Sequence, residues 1–178
     1  MIGWKKKMKH KNLILSALFL ALGAVLPLFT AQIKEIGDTL LPMHIPVLLC
    51  GLLCGPKYGL LVGLALPFFR GVIFGMPPLY PNALWMAIEL ATYGGVIGIL
   101  YKKIGQRNVL SLYACLLSAM VAGRITWGIA KAILLGVANK PFTWEAFFVG
   151  GVVDALPGII IQLVLIPTVM LLIQKKSN

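Results

Sequence analysis

Apolar residues run along this chain in long blocks, and short polar or proline-rich stretches separate them. Six blocks read as membrane spans, at about Leu13–Ala31, Met43–Cys54, Tyr58–Gly75, Ala83–Tyr101, Leu110–Val137 and Phe147–Ile173. The second is too short to cross a bilayer of about 30 Å at 1.5 Å per residue, so part of that crossing falls to the preceding loop, Gln32–Pro42. Gly55-Pro56-Lys57 marks a tight turn, and MPPLYPN (76–82) a stiff loop. Pro157 and Pro167 predict kinks in the last span. The pattern therefore predicts an all-α integral membrane protein, one bundle of six helices over residues 1–178.

Composition agrees. The chain is 60% hydrophobic and 12% charged, against about 25% charged in a soluble domain. The net charge of +11 is distributed as span flanks rather than as a nucleic-acid surface. Six spans put both termini on one side, together with Lys5, Lys6, Lys7, Lys9, Lys11, Lys57, Lys102, Lys103, Arg107, Lys175 and Lys176; the other side holds Lys34 and Lys140. That asymmetry predicts cytoplasmic termini in a multi-pass cell-membrane protein. The basic N-terminus followed by an apolar run reads as the first span and not as a cleaved signal.

Five charges fall inside apolar blocks: Arg70, Glu89, Arg124, Lys131 and Asp154. Each is costly there, by about 2.5–3.5 kcal/mol at mid-bilayer, and such residues face a bundle interior or a wet cavity. The predicted orientation sets all five between mid-depth and the outer surface. Arg124 and Lys131 are two helical turns apart and share a face. These residues predict a small-molecule pocket open to the outside, with His44, Tyr80, Asn82 and Gln162 as further polar wall and Trp85 and Trp127 as apolar walls. A purely structural alternative pairs Arg70 with Glu89 and Arg124 with Asp154. Three cations against two acids still leave one for an anionic ligand or a ligand carboxylate. His44 is equally a cap for the short second helix, Asn82 an N-cap for span four, and Trp144 an interface anchor.

Other chemistry is excluded or left bland. No Walker A, His-Glu-x-x-His or Gly-x-Ser-x-Gly motif occurs, so neither ATP hydrolysis by that route nor a familiar enzyme is expected. Cys50 and Cys54 lie four apart without further ligands nearby, and read as packing residues, so no metal or cofactor is expected. Small residues form two faces. Gly94 and Gly98 serve internal packing, while Ala17 and Ala21, extended by Ala24, pack internally or dock another subunit. Gly51, Gly59 and Gly63 let spans two and three pack closely.

LPMHIPVLLCGLLCGPKYGLLVG (41–63), the GMPPLYPNALWMAIELATYG that follows Phe74, the Ala17-x-x-x-Ala21 pair and the six-span plan together resemble a substrate-binding S component of an energy-coupling factor (ECF) vitamin transporter, in the pantothenate-like branch. The resemblance covers essentially the whole chain. It implies a binding subunit that captures a vitamin from outside and docks on a transmembrane T component carrying two cytoplasmic ATPases. It further implies docking through Ala17 and Ala21 and a lid at Gln32–Pro42. Pantothenate, with one carboxylate plus hydroxyl and amide groups, suits the excess of cations. Pyridoxine or another vitamin precursor is the alternative ligand, and a self-sufficient small channel or carrier the alternative class.

Overall fold

The structure, a computed structural model, describes residues 2–30, 41–105, 108–137 and 143–177. Six principal helices account for it: α1 Ile2–Thr30, α2 His44–Cys54, α3 Pro56–Phe74, α4 Leu84–Leu100, α5 Val109–Val137 and α6 Leu156–Ser177. No strand occurs among the described residues. Five helical segments are long and apolar enough to cross a membrane, and α2 is the short one. Its 11 residues rise roughly 16 Å, so the shortness read from the sequence is real. Residues 32–40 of the expected lid lie outside the described residues, as do Lys34, Arg107 and Lys140.

The helix starts and stops follow local chemistry. Gly55, at φ 93°, lies in a region that favours glycine, and Pro56 opens α3, so α2 and α3 meet in the predicted tight turn. The proline-rich loop ends in a wide turn, Leu79–Ala83, broken at Tyr80, whose backbone is extended. Asn82 does not cap α4: the capping position is Ala83, and no side chain bonds there. The last span also differs from expectation. A short helix Trp144–Phe148 and a wide turn Val149–Val153 lead into α6. Pro157 is therefore the second residue of α6, where its missing N–H is harmless, and only Pro167 lies inside the helix.

α4 is the hub, packing on α2, α3 and α5, while α1 covers α2 and α3 and α6 touches α5 and α2. The glycines explain the closeness. A Cβ on Gly94 would strike the backbone of Gly59, and one on Gly51 or Gly59 would strike the carbonyl of Gly94. One on Gly63 would meet the backbone of Leu90, and one on Gly98 that of Pro56. The glycine ladder thus seats both α2 and α3 on α4, rather than serving only α2 against α3. In lipid, where apolar burial gives little drive for helices to associate, such backbone approach supplies the dispersion contacts.

On α1, Ser16, Phe19, Gly23, Ala24 and Pro27 turn inward. Ala17 and Ala21 are exposed on the outer side of the helix, and Ala24 does not extend their face because it is buried.

Candidate functional site

Two side chains that open their helices toward the same end meet across the hub. His44 is the first residue of α2, and Glu89 lies near the start of α4; they are 2% and 3% exposed. Glu89 Oε1 lies 3.3 Å from His44 Nε2 and 3.1 Å from Arg124 Nη1. Arg124, on α5, is 13% exposed. One carboxylate oxygen therefore joins α2, α4 and α5. The pairs of the structural alternative, Arg70 with Glu89 and Arg124 with Asp154, are not formed among the described residues: Arg124 faces α4 and meets Glu89. Nor does the His44 side chain cap α2; its ring bonds Glu89 instead.

Arg124 is only partly engaged. Its Nη1 meets Glu89, whereas Nε and Nη2 are buried and make no hydrogen bond. Nε and Nη2 lie along one edge of the guanidinium, the fork that binds a carboxylate bidentately. His44 Nδ1, Arg70 Nε and Gln162 Nε2 are also buried without a hydrogen bond. Buried polar atoms are normally satisfied, so this concentration of open donors and acceptors distinguishes the region from ordinary core.

Two tryptophans carry the next turn. The Lys131 ammonium stands 4.6 Å from the ring centroid of Trp127 and 5.6 Å from that of Trp85. The Arg124 guanidinium lies 6.0 Å from the Trp127 centroid. Lys131 is also within electrostatic reach of Glu89 and Asp154. Gly150 and Gly151 give Trp127 its seat, since a Cβ on either would press its ring. Both tryptophans expected as apolar walls therefore flank the Lys131 ammonium.

The remaining expected residues are more peripheral. Arg70 Nη1 reaches the Met43 sulfur at 3.8 Å. Asp154 is exposed, Asn82 is half-buried, and Tyr80, 57% exposed, makes none of the contacts that hold the cluster. Trp144 is 86% exposed with its ring edge-on to Phe147, as an interface residue would be. Cys50, Cys54 and Cys115 are free and buried, and no group of metal-ligating side chains occurs among the described residues.

Sequence reasoning missed Tyr93, whose ring packs edge-on to His44 at 4.9 Å. Its spacing was a usable signal: it lies one helical turn past Glu89 on the same face of α4. Gly123 admits that ring, because a Cβ there would strike it. Below it, Thr126 Oγ1 sits 3.1 Å from Thr92 Oγ1, joining α5 to α4. Thr126→Val is expected to cost about 0.6 kcal/mol, the average for interhelical hydrogen bonds in lipid, seen as a small drop in melting temperature in detergent.

A larger cavity lies elsewhere. Its volume is about 410 Å³, and Ile125, Gly128, Ile129, Trp144 and Phe147 are among its lining residues. Among the described residues its lining carries no charged side chain. The charged cluster, not this groove, has the chemistry of a recognition site.

A family model described as the substrate-specific component of ECF transporters matches residues 11–170. Neither the curated proteins nor the solved structures compared give a match. The match reaches into all six helices and includes every residue of the cluster. S components of this kind bind small molecules and work with a T component and ATPases, and they are transporter subunits rather than enzymes. The chain belongs to the ECF transporter substrate-specific component family.

Proposed function

We propose that this S component captures pantothenate, with the ligand carboxylate on the open Nε/Nη2 edge of Arg124. The observation that carries the reading is that edge: Nε and Nη2 are buried without a hydrogen bond of good geometry, though Tyr93 and Trp127 lie near the guanidinium, beside a carboxylate that already occupies Nη1. Glu89 holds Arg124 in place and balances one charge. Arg70 and Lys131 keep the neighbourhood cationic, which favours an acid over a neutral ligand. Pyridoxine fits less well, because the Trp85 and Trp127 faces that a pyridine ring would stack on carry the Lys131 ammonium.

The termini are cytoplasmic in this reading, by the distribution of lysine and arginine, and the site opens outward. Ala17 and Ala21 form the face that meets the T component, and their exposure on α1 supports that role.

Arg124 is the residue to change. Arg124→Met is expected to weaken pantothenate binding by about 3–5 kcal/mol, since it leaves a desolvated carboxylate unpaired. Arg124→Lys keeps the charge but loses the fork, and is expected to recover little of the affinity. Isothermal titration of the purified variants checks both. Unchanged affinity in a folded Arg124→Met protein would remove Arg124 from the site.

A further inference from the structure

The Lys131 ammonium stands where an aromatic cage would hold a cationic ligand. It lies over two indole rings, 4.6 Å from the Trp127 centroid and 5.6 Å from that of Trp85. Both distances fall inside the roughly 6 Å at which the negative face of a ring attracts a cation. Trp127 and Lys131 are four apart on α5 and so share a face. Trp85 reaches the same ammonium from the first turn of α4.

The cage does not owe its shape to the lysine. Trp127 is 7% exposed. The wide turn at Gly150 and Gly151 lies against its ring, and the Phe147 ring packs 6.0 Å away. Trp85 and Lys131 are only half-buried, so the ammonium is reached from outside the packed core.

The surroundings favour positive charge. Glu89 and Asp154 both lie within electrostatic reach of Lys131. Of the five charges in the apolar blocks, removing Lys131 leaves two cations, Arg70 and Arg124, against two acids. An emptied cage would present two indole faces and no excess of positive charge to repel an incoming cation.

We infer that Lys131 is a specificity-determining residue: its ammonium fills the Trp85–Trp127 cage and so bars organic cations, quaternary ammonium and pyridinium compounds alike, from the site. The inference rests on the reading that ligand is taken at this cluster, and deepens it by naming the ligand class that is refused. An anion is not refused, since the ammonium that closes the cage attracts it.

Choline is the probe, set against its uncharged analogue in which a quaternary carbon replaces the nitrogen. The full chain carries fluorotryptophan, and Trp85→Phe and Trp127→Phe assign the two fluorine resonances of the cage. Wild type is expected to show no shift of either resonance with choline. Lys131→Ala is expected to bind choline at least about tenfold more tightly than wild type does, and about tenfold more tightly than it binds the uncharged analogue, with both resonances moving. Lys131→Arg keeps a cation over the rings and should refuse choline as wild type does.

Choline binding by Lys131→Ala no tighter than by wild type would overturn the inference, as would equal affinity for choline and its uncharged analogue. Choline-induced shifts at both tryptophans of wild type would overturn it too, and that measurement needs no variant to fold. Titration of wild type with pantothenate tests the carboxylate reading separately: failure there removes pantothenate and leaves the cage standing.

Discussion

Glu89→Ala is expected to destabilise the protein by about 3–5 kcal/mol, the cost of breaking a buried ion pair by removing one partner. The residue is nearly inaccessible and bonds both His44 and Arg124 through one oxygen. Its loss leaves a guanidinium uncompensated within the bundle and frees the ring that ties α2 to α4. Thermal melting in detergent reads this directly. Glu89→Gln should cost less, because its amide oxygen still accepts. The double variant Glu89→Ala with Arg124→Met should regain much of the stability, since both charges are then gone, while pantothenate binding stays lost. Additive effects in that cycle would mean that the pair is not coupled.

Ala21→Trp, and separately Ala17→Trp, should abolish vitamin uptake by cells carrying the full transporter. Ligand binding by the isolated subunit should stay close to wild type. Both alanines face outward on α1, so a larger side chain meets no neighbour within the bundle, and surface changes of this sort usually alter stability by under about 0.5 kcal/mol. A partner helix that must approach closely would meet the indole instead. Loss of binding along with uptake would mean that this face packs against the S component itself.

The helices and the identity of the charged residues were legible in the sequence because bilayer thickness and desolvation cost leave few options. A run of about twenty apolar residues spans, and a charge within it is costly unless it turns inward, as Glu89 does and the exposed Asp154 does not. Which charges meet was not legible. Glu89 and Asp154 both lie at a depth Arg124 can reach, and only the rotation of α5 against α4 selects Glu89. Sequence has no term for that rotation, but the glycines hinted at its partner: Gly94 and Gly98 seat α4 against α3 and the α2–α3 turn. His44 was undecided because cap and ligand roles both suit a residue at a loop–helix boundary. Its bond to Glu89 spans 45 positions, which no local pattern encodes. Pro157 read as a kink because the wide turn before it interrupts a continuous apolar run without changing its composition. The likeness to S components was carried by the long segment 41–63, and the family match confirms it at the level of the family.

The most direct test of the carboxylate at Arg124 is titration of the purified protein with pantothenate and with its alcohol counterpart, identical except that a hydroxyl replaces the carboxylate. Pantothenate is expected to bind tightly and the alcohol at least about a hundredfold more weakly, as follows from losing a desolvated charge pair. Equal affinity for the two would contradict the assignment.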